Sequence, residues 1–223
     1  MYDIIFLDLD NTILDFDAAE REGFRLLIEE SGLTYQSDML FQYQKINIAL
    51  WKAMEQGELT KEDVCNTRFH RFFQIYDKQV DGAVLEKRYR QYLDTSSGLM
   101  PYAEETLREI RKMGKKIYSA SNGFYSTQLN RLSNAGIVNL FDGHFISDQI
   151  QYEKPSPLFF DACIRAVNAD IRSILMVGDS PTSDIAGALC AHLDACFYQH
   201  GRSVSCPQAA YTIQELPELL HII

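Results

Sequence analysis

Short apolar runs separated by helical patterns are the feature that most limits how this chain can fold. Residues 4–7, Ile-Ile-Phe-Leu, are apolar without alternation, so a strand formed there requires burial on both faces. Similar runs recur further along, at 117–120, 144–146, 174–177 and 195–198. Helical patterns lie between most of them, at 103–113, 126–134, 157–167 and 184–191. Strands that alternate with helices predict an α/β fold with a doubly wound parallel sheet of the Rossmann-like type.

One long segment, residues 17–94, interrupts this alternation and shows no convincing strand pattern. Its apolar residues recur at helical spacing and predict about four helices packed as a small bundle. Residues 94–98, Asp-Thr-Ser-Ser-Gly, are typical of a turn-rich linker that leads back to the α/β part. The predicted architecture is an α/β core formed by residues 1–16 and 95–223, with a helical insertion at 17–94.

Charge and cysteine content limit the partners and the compartment. The formal net charge is −10 at pH 7, which argues against nucleic acid polymers and membranes as partners, because both require a basic surface patch. A small phosphorylated metabolite stays compatible, since a metal ion and a few local cations bind phosphate in an acidic protein. The cysteines are odd in number, without a Cys-x-x-Cys pair, and no basic leader precedes the first apolar run. We therefore expect reduced thiols and a cytoplasmic protein, whose oligomeric state is left open.

Two acidic residues follow the first predicted strand, in the run Asp8-Leu9-Asp10-Asn11-Thr12. Open α/β sheets bind ligands at the carboxyl ends of their strands. A carboxylate at this position, such as Asp8, can attack phosphorus when a nearby cation reduces its repulsion from the substrate. Asp10 can protonate the leaving oxygen and later activate a water molecule. A polar turn that merely ends the strand is the alternative interpretation.

Two further signals suit the binding of phosphate. Ser121-Asn122-Gly123 closes the second predicted strand, and a hydroxyl with nearby backbone N–H groups can cradle phosphate where glycine permits close approach. A plain turn explains the same three residues. Lys154, which precedes Pro155, can neutralise both a nucleophile and a transferring phosphoryl group. A solvated loop lysine is the alternative when Lys154 is considered alone.

The last signal is an acidic loop after the predicted strand at 174–177, in the sequence Gly-Asp-Ser-Pro-Thr-Ser-Asp. Asp179 at the tip of the strand suits Mg²⁺, which prefers carboxylate oxygens and retained water. Asp184, or Ser183 before it, can instead cap the helix that follows. Capping and metal binding are compatible, so both interpretations stay open.

In combination and in this order, the four motifs resemble those of the haloacid dehalogenase-like (HAD) hydrolase superfamily. The resemblance extends from Asp8 to the region around Gly201. It implies a HAD-type α/β core, a helical cap inserted after the first motif, a cap that closes over the substrate, and Mg²⁺ as the cofactor.

The resemblance also implies a role for each matching residue. Asp8 is the expected nucleophile, Asp10 the expected general acid/base, and Asp184 the expected support for Lys154 or for the metal shell. The residues expected to bind phosphate are Ser121, Asn122, Gly123 and Lys154, of which Ser121 and Lys154 also count as catalytic. The residues expected to bind Mg²⁺ are Asp8, Asp10 through its carbonyl, and Asp179.

The reaction and the substrate follow from two details of the resemblance. Dehalogenating members generally lack the second acid of the first motif, so Asp10 favours phosphate-ester hydrolysis. The segments 8–16, 152–155 and 178–185 are similar to the bacterial pyrimidine 5′-nucleotidase branch, the YjjG-type proteins, which implies a nucleoside 5′-monophosphate as substrate. A phosphatase for a sugar phosphate or phosphoglycolate, a phosphomutase, and a phosphate- or nucleotide-binding protein without activity are the alternatives.

Residues of the helical insertion are candidates for recognising a base. Trp51, Phe69 and Phe72 could stack on its ring, and Arg68 or Asn47 could bind its edge. Helical spacing also explains the aromatic residues as the core of the bundle and leaves Arg68 as a surface cation.

Overall fold

The computed structural model describes residues 2–223, which form two separate units. One unit comprises the residues up to Phe16 together with Ser97–Ile223, and the other comprises Asp17–Ser96. The chain returns to the first unit at Ser97 rather than at residue 95, because the turn that follows the last inserted helix belongs with that helix.

A parallel sheet of six strands forms the centre of the first unit within the part of the chain that the structure describes. In spatial order the strands are β3 (Gly143–Ile146), β2 (Lys116–Ser121), β1 (Ile4–Leu7), β4 (Ile174–Gly178), β5 (Asp194–Tyr198) and β6 (Tyr211–Ile213). Ile5 of β1 lies opposite Ile117 on one side and Leu175 on the other. The predicted α/β fold with a parallel sheet is confirmed, and each of the five predicted strands is present. β6 was not predicted because it is short and two of its three residues are exposed.

Burial on both faces of the sheet explains why β1 is apolar without alternation. Ile5 and Leu7 lie in one buried apolar cluster, whereas Ile4 and Phe6 lie in another. Successive side chains of a strand point to opposite faces, so the two clusters are the two sides of the sheet. Burying one side chain of this size contributes roughly 1.5–3 kcal/mol, and both layers therefore hold β1 in the centre.

Helices complete both units. Those that follow β1 in the inserted unit are α1 (Phe16–Glu30), α2 (Ser37–Glu55), α3 (Lys61–Gln74) and α4 (Gly82–Leu93). Those of the first unit are α5 (Ala103–Lys112), α6 (Tyr125–Asn134), α7 (Ser147–Ile150), α8 (Pro157–Val167) and α9 (Gly187–Cys190). The helices predicted from the apolar spacing at 103–113, 126–134 and 157–167 are confirmed. Among residues 2–223, no helix has both the length and the apolar content that a membrane span requires.

The helix predicted at 184–191 is instead a π-helix, Pro181–Ala186, continued by α9. The side chain of Ser180 accepts a hydrogen bond from the backbone N–H of Ser183, and the carboxylate of Asp184 accepts one from the N–H of Ser180. These side-chain acceptors satisfy N–H groups at the start of the helix, which begins earlier than the apolar spacing indicates. Single wide turns of this kind are frequent at functional sites.

Aromatic side chains fill the interior of the inserted unit. The ring of Tyr43 stacks on Phe24 at 4.6 Å and on Phe69 at 5.2 Å between centroids, and Phe72 packs edge-on against Phe24 at 5.0 Å. Phe69 and Phe72 are completely buried. Their interpretation as bundle core is confirmed, and they are not available to stack on a base. Trp51 is partly buried and packs against the apolar cluster formed by α2 and α3.

Arg68 is buried inside the inserted unit, so its interpretation as a surface cation is wrong. Its guanidinium donates to Glu86 at 2.8 Å and to Oδ1 of Asn47 at 3.2 Å. The amide of Asn47 in turn donates to Glu20 at 3.2 Å. A buried arginine requires such partners, because an unpaired charge in the interior is costly. Both candidate base-edge residues are therefore engaged within the bundle.

Candidate active site

The polar residues singled out in the sequence lie in the first unit, at the ends of strands that share one edge of the sheet. Asp8 and Asp10 follow β1, Ser121 ends β2, and Asp179 follows β4. Lys154 lies on the loop before α8. In a parallel sheet the carboxyl ends of neighbouring strands meet at the same edge, and this brings residues far apart in sequence together.

Lys154 lies at the centre of the candidate site, with only 2% of its surface exposed. Its ammonium group donates to Oδ1 of Asp8 at 2.7 Å, to Oδ1 of Asp184 at 2.6 Å and to the carbonyl of Ala120 at 2.6 Å. The three acceptors use all three ammonium protons. A solvated loop lysine is therefore excluded, and Lys154 is a buried, fully paired cation.

The buried charges of the site change one another's pKa values. Burial lowers the pKa of Lys154, but Asp184 and Asp8 raise it by more, so the side chain stays protonated at neutral pH. Burial raises the pKa of Asp8, Lys154 lowers it, and the neighbouring Asp184 and Asp179 raise it again. The net effect holds the pKa of Asp8 well above its ordinary value, because burial and the neighbouring carboxylates outweigh Lys154. A divalent cation at this position would stabilise the ionised form.

Asn122 fixes the backbone of Lys154 through both ends of its amide. Oδ1 of Asn122 accepts the N–H of Lys154 at 2.7 Å, and Nδ2 donates to the carbonyl of Lys154 at 2.8 Å. The following residue, Pro155, packs closely against Gly187. A Cβ added to Gly187 would lie 2.9 Å from the Cα of Pro155. The side chain of Asn122 therefore positions the lysine loop, a function that the sequence alone did not indicate.

Ser121 and Gly123 form a tight turn with Gln128 of α6. The hydroxyl of Ser121 accepts the N–H of Gly123 at 3.0 Å and the amide of Gln128 at 2.9 Å, and Ser121 is almost completely buried. A Cβ on Gly123 would lie 2.4 Å from Nε2 of Gln128. The glycine is therefore required to admit Gln128, in addition to any contact with phosphate.

Asp10 is held by two residues of α6. Nε2 of Gln128 donates to Oδ2 of Asp10 at 2.7 Å, and Nη1 of Arg131 donates to Oδ1. The side chain of Asp10 retains 32% of its accessible surface, whereas the arginine side chain retains 2%. The second acid of the first motif is thus accessible, with its carboxylate directed by buried donors.

The loop after β4 brings two further carboxylates to the site. Asp184 contacts Lys154 with one oxygen and the N–H of Ser180 with the other, and a Cβ on Gly178 would lie 2.2 Å from Oδ2 of Asp184. Asp179 accepts a hydrogen bond from Arg202 at 2.6 Å. Burial and the charge of Asp184 raise the pKa of Asp179 to about 6, although Arg202 lowers it.

Three carboxylates form a group that fits a magnesium ion. Asp8, Asp179 and Asp184 each offer one oxygen, and these oxygens lie within 4.8 Å of one another. Hard carboxylate oxygens are the ligands that Mg²⁺ prefers, and the group is partly buried at the sheet edge. The set includes Asp184, which the sequence had indicated as a support, while the contact of the Asp10 carbonyl with the metal stays a prediction.

Gln128, Arg131 and Arg202 were missed by reasoning from sequence. Gln128 and Arg131 are three residues apart on the predicted helix at 126–134, and polar residues at that spacing usually form its solvated face. In the structure Arg131 is buried beside Leu132, and no local pattern in the sequence indicates this. Arg202 follows a turn in which His200 and Gly201 both have positive φ, and no local pattern indicates that it reaches Asp179.

Comparison with known proteins assigns the chain to a family. A family model that describes haloacid dehalogenase-like hydrolases matches residues 2–192. The chain belongs to this family. Its membership in the HAD hydrolases confirms the resemblance stated from the four motifs, and it makes the protein a hydrolase by descent.

Several HAD relatives match this chain over nearly its whole length. HAD-hydrolase YfnB of Bacillus subtilis (strain 168) is 34% identical over 225 residues, covering 100% of this chain and 95% of that protein. Pyrimidine 5′-nucleotidase PynA of Streptococcus pneumoniae is 33% identical and covers 98% and 94%. Pyrimidine 5′-nucleotidase YjjG of Escherichia coli (strain K12) is 28% identical and covers 100% and 98%. The expected similarity to the YjjG-type branch is confirmed.

A solved structure extends the similarity to three dimensions. The crystal structure of YfnB from Bacillus subtilis bound to magnesium superposes with a TM-score of 0.94 at 34% identity, covering 99% of this chain and 98% of that one. The HAD fold with its inserted helical unit is therefore shared with a relative that binds magnesium.

Proposed function

We propose that this HAD hydrolase is a Mg²⁺-dependent phosphatase of a small phosphate monoester, with a nucleoside 5′-monophosphate as its preferred substrate. The observation that carries the proposal is the contact of Asp8 with the buried ammonium of Lys154 beside a group of carboxylates. A separate acid, Asp10, follows two residues later. A nucleophile, a fixed cation, metal ligands and an acid are the groups that phosphoryl transfer to aspartate requires.

In the first step, an oxygen of Asp8 attacks phosphorus in line with the leaving oxygen. The bond from phosphorus to the leaving group breaks as the aspartyl phosphate forms. Lys154 balances the charge of the nucleophile and of the transferring group, since its ammonium lies 2.7 Å from Oδ1 of Asp8. Asp8, Asp179 and Asp184, with the carbonyl of Asp10, would hold Mg²⁺, which reduces the repulsion between the nucleophile and an anionic substrate.

Asp10 serves both steps as the general acid and base. It gives a proton to the leaving oxygen in the first step and takes one from the attacking water in the second. A halide leaves without a proton, whereas an alkoxide leaves more readily with one. The presence of Asp10 therefore supports phosphate esters, rather than haloacids, as the substrates of this family member.

The turn at Ser121 is the proposed cradle of the phosphoryl group. The hydroxyl of Ser121 and the backbone N–H of Asn122 bind its oxygens, where fixed donors stabilise the charge that develops in the transition state. The N–H of Gly123 closes the turn by donating to the hydroxyl of Ser121, so Gly123 shapes the cradle rather than donating to phosphate. The side chain of Asn122 supports the same site indirectly, because it holds the backbone of Lys154 in place.

The proposal of a nucleotide substrate is supported by two relatives. PynA and YjjG, both pyrimidine 5′-nucleotidases by name, are similar to this chain from end to end. A sugar phosphate or phosphoglycolate phosphatase and a phosphomutase use the same core residues and are the alternatives to be tested. A binding protein without activity is disfavoured, because binding alone requires no acid beside the nucleophile.

A screen of phosphate release tests the proposal. The protein is assayed on nucleoside 5′-monophosphates, sugar phosphates and phosphoglycolate, with Mg²⁺ and with a chelator. We expect Mg²⁺-dependent release that is fastest for pyrimidine nucleotides such as UMP or dTMP, and that Asp8→Asn abolishes. The matched control is Asp161→Asn, which removes a carboxylate from α8 outside the candidate site. A preference for sugar phosphates would reject only the nucleotidase assignment, whereas no release from any ester would reject the phosphatase.

A further inference from the structure

A pair of polar side chains from α6 clamps the carboxylate of Asp10. Gln128 donates to Oδ2 at 2.7 Å and Arg131 donates to Oδ1. Nη1 of Arg131 also donates to Oε1 of Gln128 at 3.1 Å, so the two donors are tied to each other as well as to the carboxylate. Because each oxygen has its own donor, the plane of the carboxylate is fixed, and not only its position.

The clamp is buried although the group it holds is accessible. Gln128 and Arg131 each retain 1% of their surface, and the guanidinium of Arg131 lies 5.6 Å from the ring centroid of Phe16. Burying an amide and a guanidinium is costly unless they are paired, so this arrangement is not explained by apolar packing. Its effect is to orient a partly accessible carboxylate through donors on its buried side.

The same amide joins the acid to the phosphate cradle. Nε2 of Gln128 donates both to Asp10 and to the hydroxyl of Ser121, at 2.7 Å and 2.9 Å. Gly123 leaves the space that this amide occupies. One side chain, Gln128, therefore fixes the positions of Asp10 and Ser121 relative to each other. Asp10 is the proposed acid for the leaving oxygen, and Ser121 is proposed to bind the phosphoryl group.

We propose that Gln128 and Arg131 are positioning residues that hold Asp10 in place for proton transfer to the leaving oxygen. The inference rests on the proposed phosphatase function. Proton transfer requires Asp10 within roughly 2.6–3.2 Å of that oxygen as the bond to phosphorus breaks. Without the clamp the side chain of Asp10 turns to other rotamers, and proton transfer to the leaving oxygen lags behind cleavage of its bond to phosphorus. The attack of Asp8 on phosphorus does not itself depend on the clamp.

The dependence of kcat/KM on the leaving group separates this role from a structural one. Aryl and alkyl phosphates of increasing leaving-group pKa, from p-nitrophenyl phosphate to simple alkyl phosphates, are compared in wild type, Gln128→Met and Arg131→Met. Alkoxides need the proton and nitrophenolate does not. We expect kcat/KM for alkyl esters to fall about 100-fold further than that for p-nitrophenyl phosphate in both variants. Gln128→Met should also lower kcat/KM for every ester by a common factor, because Ser121 loses a donor. Arg131→Lys, which keeps a cationic donor, should restore part of the loss.

The slope of log(kcat/KM) against leaving-group pKa is insensitive to incomplete folding. Loss of folded protein lowers every kcat/KM by the same factor and leaves the slope unchanged. The matched control is Arg165→Met, which removes an exposed arginine from α8 and should keep both slope and rate. If one variant fails to fold, the other still decides the question.

An equal fall of kcat/KM for all esters, without a steeper slope, in whichever of the two variants folds, would overturn the clamp. The proposed phosphatase function would be unaffected by that result. A wild-type protein that cleaves none of the esters would overturn the proposed function and the clamp together. A steeper slope in Gln128→Met or Arg131→Met, with the wild-type slope in Arg165→Met, is the result that supports the inference.

Discussion

The ammonium of Lys154 lies 2.7 Å from Oδ1 of Asp8, and both side chains are almost completely buried. The two residues are 146 positions apart in the sequence. Their contact depends on the sheet order, which places β1 beside β2 and β4, and on the amide of Asn122, which fixes the lysine backbone. Stability and the proposed chemistry therefore depend on the same ion pair.

Replacing Lys154 by methionine should lower both the stability of the protein and its phosphatase activity. Asp8 and Asp184 lose their shared cation, and breaking a buried ion pair costs about 3–5 kcal/mol. We expect kcat for p-nitrophenyl phosphate to fall by about 100-fold or more, because a preorganised charge at the transferring group is lost. Urea unfolding and steady-state assays measure the two effects. Lys112→Met, which removes an exposed lysine paired only with its helix neighbour Glu109, is the control. Wild-type kcat in Lys154→Met would contradict the assigned role.

Magnesium binding should depend on Asp179. A chelator should abolish activity, and added Mg²⁺ should restore it. Asp179→Asn should weaken Mg²⁺ binding by more than about tenfold, since even residues that merely support a metal ligand contribute that much. Calorimetric titration of the folded protein with Mg²⁺ measures binding without relying on turnover. Asp161→Asn on α8 removes the same charge elsewhere and should bind Mg²⁺ like wild type; equal weakening in both would refute the site.

Much of the fold could be predicted because burial leaves a direct trace in the sequence. β1, buried on both faces, is apolar throughout, and the motifs lie where its neighbours end. The clamp on Asp10 left no such trace. Gln128 and Arg131 look like the solvated side of a helix, and only the fold, in which α6 follows the end of β2, brings their side chains to Asp10. Asp184 was expected to begin a regular helix, yet it lies within a π-helix in which the N–H of Ile185 donates to the carbonyl of Ser180.

In the inserted unit, too, the sequence indicated apolar burial but not the pairing of polar residues. Helical spacing correctly indicated Phe69 and Phe72 as core residues, because apolar periodicity and burial are linked directly. It could not indicate that Arg68 is buried, since the partners that make this possible, Glu86 and Asn47, lie on other helices. Pairings between distant polar residues are set by the fold and are invisible in local patterns.

The stability of the inserted unit should fall as pH rises from acidic values. Burial raises the pKa of Glu20 above the ordinary 4.5, although Gln44 and Arg68 lower it. The folded state therefore keeps the proton to a higher pH than the unfolded chain, and stability is lost between the two pKa values. Urea unfolding followed by the fluorescence of Trp51, the single tryptophan, should show wild type losing stability relative to Glu20→Gln as pH rises.

Glu22 provides the matched control on the same helix. Arg25 lowers the pKa of the exposed Glu22, so Glu22→Gln should give a small change of the opposite sign. A wild type that gained stability over Glu20→Gln with rising pH would contradict the sign derived for the buried carboxyl.

The thiols should differ sharply in reactivity. Cys190 is exposed, whereas burial raises the pKa of Cys65 to about 11 and that of Cys196 to about 12. Thiolate is the reactive form, so iodoacetamide at about pH 8 should modify Cys190 first in the folded protein. Peptide mass spectrometry locates the label, and Cys190→Ser should remove the fast reaction. Comparable labelling of Cys65 or Cys196 before unfolding would contradict the burial of these two thiols.

The central claim is that Asp8 carries the phosphoryl group during turnover. The direct measurement is an acid quench in the first turnover with Mg²⁺ and a phosphate monoester, followed by peptide mass spectrometry. We expect one added phosphoryl group on the peptide that contains Asp8, absent without Mg²⁺ and absent in Asp8→Asn. Turnover at the wild-type rate by Asp8→Asn, or a phosphoryl group found on another residue, would contradict it.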